Sequence, residues 1–80
     1  MKTIHTNRYR RVINLIVAAR KRAKLTQEDV GTRLGRSQSH VASIESGGRR
    51  LDIVELVDLC AIVKLDPVEV IKEVISTPES

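Results

Sequence analysis

The stretch that decides the fold covers residues 27–45 and reads QEDVGTRLGRSQSHVASIE. Its apolar residues recur at steps of three and four, which predicts two short helices at about 27–34 and 38–45. The link between them, residues 35–37, is too short for antiparallel packing and forces a steep crossing angle. Gly31 lies inside the first helix, where glycine costs about 1 kcal/mol relative to alanine. We therefore expect another part of the backbone to approach Gly31 closely.

The outer face of the second helix carries short side chains. With its hydrophobes turned inward, this helix presents Gln38, Ser39, Ala42 and Ser43 outward, with an exposed His40 at the flank. Apart from the histidine these side chains are uncharged, so none buries a charge against the base edges of a DNA major groove. Glutamine bonds an adenine through two atoms, serine contacts several bases and alanine touches a thymine methyl. The pattern predicts a helix that reads bases.

The other helix starts follow a repeated local pattern. Residues 25–30, 51–56 and 65–70 each hold a capping side chain, an acid three positions later and two bracketing hydrophobes. This pattern is typical of a capped helix N-terminus with a hydrophobic staple. Apolar steps between residues 8 and 23 add a basic first helix. We predict an all-α, compact five-helix bundle without a sheet, with helices at about 8–23, 27–34, 38–45, 53–63 and 67–75.

Length and composition limit the chain to one small domain. Its 80 residues are 41% apolar and include neither Phe nor Trp, which is enough for one modest aliphatic core. We divide the chain into a flexible N-terminal arm (1–7), the domain (8–75) and a frayed C-terminal tail (76–80). Cys60 is the only cysteine, so it forms no internal disulfide, and we expect it in the core.

Charge is unevenly distributed along the chain. Residues 1–25 hold eight Lys or Arg and no acid, whereas residues 51–80 hold two basic and seven acidic residues. This polarity indicates that one end binds a polyanion and the other does not. No apolar run approaches the roughly 18 residues of a membrane span, and the basic start leads to no cleavage site. We expect a cytoplasmic protein, associated with a bacterial or phage nucleoid, and no membrane partner.

A further signal comes from motifs spread over most of the chain: LTQEDV at 25–30, LG at 34–35, SQSHV at 37–41, IE at 44–45, Gly47 and LDP at 65–67. With this combination, residues 8–75 resemble the phage-repressor-like helix-turn-helix family of Cro/repressor or xenobiotic-response-element (XRE) type. The resemblance implies a DNA-binding domain with its helix-turn-helix at about 27–45. It implies a transcriptional regulator, either a repressor or a restriction–modification controller, that binds a palindromic double-stranded DNA operator as a homodimer.

The resemblance also assigns roles to individual residues. It assigns Gln38, Ser39 and Ser43 to base edges. Its phosphate-contacting positions are matched by Thr26, Gln27, Ser46 and Arg50, to which we add Arg36, His40 and Arg49. Finally, it pairs Arg20 with Glu45 in a buried ion pair between the first and third helices.

The chain departs from the family pattern at three positions. Lys24 and Lys64 stand where the family usually has glycine at helix C-termini, and Arg36 replaces a hydrophobe in the turn. A left-handed backbone at either lysine costs about 1 kcal/mol. Any other conformation there would change the angle between the flanking helices.

The last two helices hold more apolar residues than one small core uses. We expect Val68, Ile71, Val74 and Ile75 to form a self-complementary surface for a homodimer. The simpler reading is that the additional hydrophobes only seal the bundle. An alternative function is an antitoxin-like or adaptor module that docks a protein partner on helices 4 and 5.

The chemistry-bearing residues form no catalytic or metal-binding pattern. The acids lie at helix caps or on solvated faces without a base and nucleophile beside them, and there is no glycine-rich phosphate loop. No His or Cys spacing suits zinc. We expect no enzyme activity, no cofactor, no metal and no small-molecule substrate.

Overall fold

The computed structural model describes residues 6–78, which contain five helices and no strand. The helices are α1 (Asn7–Arg22), α2 (Gln27–Leu34), α3 (Gln38–Ser46), α4 (Ile53–Val63) and α5 (Pro67–Ser76). Every boundary lies within one residue of the predicted one, so the predicted all-α five-helix bundle is confirmed.

The two ends of the domain reach slightly further than expected. Thr6 caps α1 and Asn7 begins it, so these two residues of the predicted arm belong to the folded domain. Ser76, predicted to start the tail, is the last residue of α5. The rest of the predicted arm, residues 1–5, and the end of the predicted tail, residues 79–80, lie outside the described residues.

Each helix begins after a residue whose side chain accepts a backbone N–H from the first turn. These residues are Thr6, Thr26, Ser37, Asp52 and Asp66. Such a cap stabilises a helix by about 1 kcal/mol. Only α2 has the full reciprocal box, in which the Thr26 N–H also donates to the Asp29 carboxylate at 2.9 Å. The corresponding acid of α4, Glu55, bonds His40 instead.

Lys24 and Lys64 both adopt the left-handed conformation, with φ of 61° and 62°. The helix C-termini therefore keep the left-handed geometry that glycine usually provides, at a cost of about 1 kcal/mol for each lysine. The angle between helices does not have to change to accommodate these departures.

Eleven buried hydrophobes form the core, and all five helices contribute. They are Ile13, Ile16, Ala19, Val30, Val41, Ile44, Leu56, Leu59, Cys60, Val63 and Val70. Cys60 has no exposed surface, which confirms its expected place in the core. Burial, with a contribution from the negative charge of Asp66, raises the pKa of the Cys60 thiol.

The start of α1 lies against the end of α5. Arg11 forms an ion pair with Glu73 at 2.9 Å, and Arg8 Nε donates to the backbone carbonyl of Thr77 at 3.0 Å. The basic first helix and the acidic last helix are therefore neighbours, and part of the α1 charge is matched inside the monomer.

Across residues 6–78, none of the helices combines the length and the apolar character that a bilayer crossing requires.

Candidate nucleic-acid interface

The crossing of α2 and α3 depends on Gly31. A Cβ atom at this position would lie 2.8 Å from the carbonyl oxygen of Arg36 and 3.1 Å from the carbonyl group of Ser37. The Arg36 N–H donates to the Gly31 carbonyl at 2.8 Å. The expected close approach of another backbone is confirmed, and it is the turn between the two helices that approaches. Gly31 thereby fixes how α3 projects from the domain.

The outward face of α3 carries no charged side chain. Gln38 and Ser39 are exposed and Ser43 is half-buried, while Val41 and Ile44 point into the core. The first turn of α3 is therefore the part of the helix most open to a partner. Its side chains offer hydrogen-bond donors and acceptors without a charge that a groove would have to desolvate.

His40 corrects one prediction. Its Nε2 lies 2.8 Å from Glu55 Oε2, and the two side chains are only 13% and 12% exposed. Because a carboxylate only accepts hydrogen bonds, Nε2 carries the proton in this contact. The ring is therefore not exposed at the flank of α3 as predicted, whereas its contact with phosphate stays a prediction. It joins α3 to α4 through its hydrogen bond to Glu55.

Arg20 and Glu45 join α1 to the last turn of α3. Arg20 Nε lies 2.6 Å from Glu45 Oε2, and the guanidinium also donates to Glu45 Oε1 at 3.0 Å. A third bond runs from Arg20 to the Leu25 carbonyl at 2.9 Å. The two side chains are 11% and 10% exposed. These are the residues that the family resemblance paired, and the contact is the two-point geometry that arginine and carboxylate favour.

Two glutamines extend this ion pair to the protein surface. Gln27 Nε2 donates to Glu45 Oε1 at 2.9 Å, and Gln38 Nε2 donates to Gln27 Oε1 at 2.7 Å. A continuous set of hydrogen bonds therefore links the largely buried Arg20 to the exposed Gln38. The sequence contained no signal for it, because Gln27 and Gln38 are eleven positions apart and only the packing of α2 against α3 brings them together.

Tyr9 holds the loop that follows α3. Its hydroxyl accepts the backbone N–H of Leu51 at 2.8 Å and donates to the Arg49 carbonyl at 3.5 Å. The exposed Arg49 and Arg50 are thus carried on a loop tied to α1. This role of Tyr9 was not predicted, although a lone Tyr among aliphatic residues was an available signal.

The remaining predicted phosphate contacts lie at three places around α3. Thr26 and Gln27 are at the N-terminus of α2, Arg36 is in the turn, and Ser46 ends α3. Arg36 and Arg49 line a cleft of about 200 Å³ that also includes Asp52, Glu55 and Asp58. Acidic groups therefore offset part of the charge of these two arginines, whereas Arg50 does not line this cleft.

The predicted dimer residues lie on α5. Val68, Ile71 and Ile75 are exposed, with Ile71 at 42% and Ile75 at 70%, while Val74 is half-buried. A second exposed apolar group, Ile53, Val54 and Val57, lies on the first half of α4. The additional hydrophobes therefore do not all seal the bundle.

The fold, the crossing of α2 and α3 and the uncharged face of α3 together define a helix-turn-helix DNA-binding domain. Residues 16–70 match the family model described as a helix-turn-helix domain. The chain is also similar to a solved structure, an XRE-family like protein from Pseudomonas syringae pv. tomato str. DC3000, with 38% identity and a TM-score of 0.82. That similarity covers 89% of this chain and 88% of the other. No curated protein matches significantly. The chain belongs to the XRE-type helix-turn-helix family.

Proposed function

We propose that the chain is a sequence-specific transcriptional regulator that places α3 in the major groove of a palindromic operator and binds as a homodimer. The main support for this proposal is the outward face of α3, where the exposed side chains of Gln38 and Ser39 carry no charge. Gln38, Ser39 and Ser43 contact base edges in this arrangement. A regulator of this kind acts as a repressor or as a restriction–modification controller.

Polar and cationic groups around α3 supply the phosphate contacts. Thr26 and Gln27 lie where the backbone N–H groups of α2 favour an anion. Ser46, Arg49 and Arg50 approach the DNA from the other end of α3, and Arg36 from the turn. With several phosphates neutralised in each subunit, the slope of log K against log[salt] is steeper than about −4.

The exposed face of α5 supports the homodimer. Val68, Ile71 and Ile75 are spaced by three and four residues, so they share one side of the helix. A twofold contact through this face, with Val74 at its margin, removes apolar side chains from water in both copies. The two α3 helices then lie about 34 Å apart, one turn of DNA.

Selection of bound sites from random DNA tests the proposal. We expect a palindromic consensus with two half-sites whose centres are one helical turn apart. A selected pool without sequence preference would contradict base reading by α3. A consensus with a single unrepeated half-site would contradict the homodimer but not the base contacts.

A protein-docking module is the second candidate function, of antitoxin-like or adaptor type. The observation that favours it is the exposed apolar group of Ile53, Val54 and Val57 on α4, in addition to the face of α5. Under this alternative the purified chain stays monomeric and binds no DNA, because its apolar surfaces await a different protein. Sedimentation and DNA titration of the same preparation separate the two candidates.

A further inference from the structure

We propose that Glu45, which lies behind the α3 face, determines which hydrogen-bonding groups Gln38 presents and thereby favours adenine over guanine at one base of each half-site. This inference rests on the proposed function of Gln38 as a base-reading residue. Glu45 acts here as a positioning residue, through Gln27, and itself contacts no base.

Glu45 is the innermost acceptor of the hydrogen bonds that begin at Gln38. An ionised carboxylate accepts hydrogen bonds and donates none. Arg20 donates to both oxygens of Glu45, so the pair holds the carboxylate in place as an acceptor. Any group that bonds Glu45 from the DNA side must therefore be a donor. Gln27 meets this requirement only through its Nε2 atom, which lies 2.9 Å from Glu45 Oε1.

The planar amide of Gln27 connects Glu45 to Gln38. When its Nε2 faces Glu45, its Oε1 is directed to the other side, where it accepts from Gln38 Nε2 at 2.7 Å. The opposite orientation would place two acceptors, Gln27 Oε1 and Glu45 Oε1, against each other. The buried ion pair thus gives the hydrogen bonds a single direction, from Gln38 through Gln27 to Glu45.

The side-chain amide of Gln38 is only partly occupied by its hydrogen bond to Gln27. One of its two Nε2 hydrogens is engaged with Gln27, and within residues 6–78 its Oε1 accepts no hydrogen bond. Gln38 therefore presents one N–H donor and one acceptor. In the major groove adenine offers an acceptor, N7, beside a donor, the N6 amino group. Guanine offers two acceptors, N7 and O6, which match an amide with both N–H groups free.

Glu45→Gln tests the direction of the hydrogen bonds. The amide that replaces the carboxylate can donate or accept, so both orientations of the Gln27 amide become available. In the reversed orientation Gln27 donates to Gln38 Oε1, and both N–H groups of Gln38 are then free. We expect the ratio of adenine to guanine affinity at the Gln38 base to fall by about tenfold, within the range of one good base contact. The base is identified as the position at which Gln38→Ala relaxes the wild-type preference.

Gln27→Leu provides a second variant, because Glu45→Gln also weakens the ion pair with Arg20. It leaves that pair intact and removes the acceptor that holds Gln38. Any lost phosphate contact lowers affinity for all sequences equally, so the adenine-to-guanine ratio isolates the effect on Gln38. We expect this ratio to fall here as well. Glu28→Gln is the matched control, since Glu28 is exposed beside Gln27 and the change removes the same charge without altering the ratio.

The DNA-free chain supplies a readout that does not involve base recognition. In ¹H–¹⁵N spectra, the side-chain amide signals of Gln38 should move in Glu45→Gln and Gln27→Leu and stay in place in Glu28→Gln. The role of Glu45 would be overturned if the Gln38 amide signals did not move. It would also be overturned if the wild type preferred adenine and the folded variants kept the same ratio of adenine to guanine affinity. Either result would leave the proposed function standing. A wild-type chain that selects no DNA sequence would overturn the proposed function, and the inference with it.

Discussion

Arg20 Nε and Glu45 Oε2 lie 2.6 Å apart, so the first helix is tied directly to the last turn of α3, the second helix of the helix-turn-helix. Both side chains are about nine-tenths covered. A covered charge that loses its partner remains desolvated, and this makes the pair sensitive to single substitutions.

We therefore expect Arg20→Ala to lower the free energy of unfolding by about 3–5 kcal/mol, because it strands the Glu45 carboxylate. The double variant Arg20→Met, Glu45→Leu should recover much of this loss, since no charge is left unpaired. Urea denaturation of the three proteins measures both effects. Equal instability of the single and double variants would show that packing, rather than charge pairing, dominates at this position.

Gln38→Ala should weaken operator binding and relax the preference at one base in each half-site, because it removes a contact worth about 1–3 kcal/mol. Stability should change little, since the side chain is exposed. Binding to a panel of half-sites that differ at single positions is the measurement. A uniform loss across the panel would argue that Gln38 contacts the backbone and not a base.

Arg50→Ala should reduce affinity for all sequences alike and make the salt slope of the dimer shallower by about two, as expected for one lost phosphate contact in each of two subunits. Lys72→Ala is the control, because it also removes an exposed cation, from α5. Titrations at several salt concentrations give both slopes. The assignment of Arg50 fails when its variant keeps the wild-type slope, or when the control changes it equally.

Ile71→Glu should convert the proposed homodimer to a monomer that remains folded, because Ile71 is 42% exposed and lies outside the buried core. Operator affinity should fall with it, while binding of a single half-site persists. Ile53→Glu places the same charge on the exposed α4 group and should leave the dimer intact. Sedimentation analysis that finds the reverse pattern would move the interface to α4.

The α2 cap predicts a specific acid dependence. The hydrogen bond from the Thr26 backbone N–H, followed by that from the Thr26 hydroxyl, lowers the pKa of Asp29 below its usual value. The stabilisation is thus present above the unfolded-state pKa of about 3.9 and is lost as pH falls through the lower folded-state pKa. In Asp29→Asn this part of the acid dependence should be absent. Urea midpoints between pH 2 and 6 test it, and parallel curves for the two proteins would rule it out.

The sequence by itself determined the local architecture. The bounds of five helices, the capped N-termini within residues 25–30, 51–56 and 65–70, and the close backbone approach at Gly31 were all predictable from the sequence. These features depend on contacts between residues a few positions apart, or on what one residue type costs the backbone. Such energies are already present in the order of the amino acids.

Only the tertiary structure decided how the side chains of distant helices meet. His40 bonds Glu55, Arg11 bonds Glu73, and Gln27 joins Gln38 to Glu45, although the helical patterns left each of these side chains several possible neighbours. The partner of a polar side chain depends on the angle and depth at which two helices pack. Those quantities result from the burial of the whole core, so no local stretch of sequence specifies them.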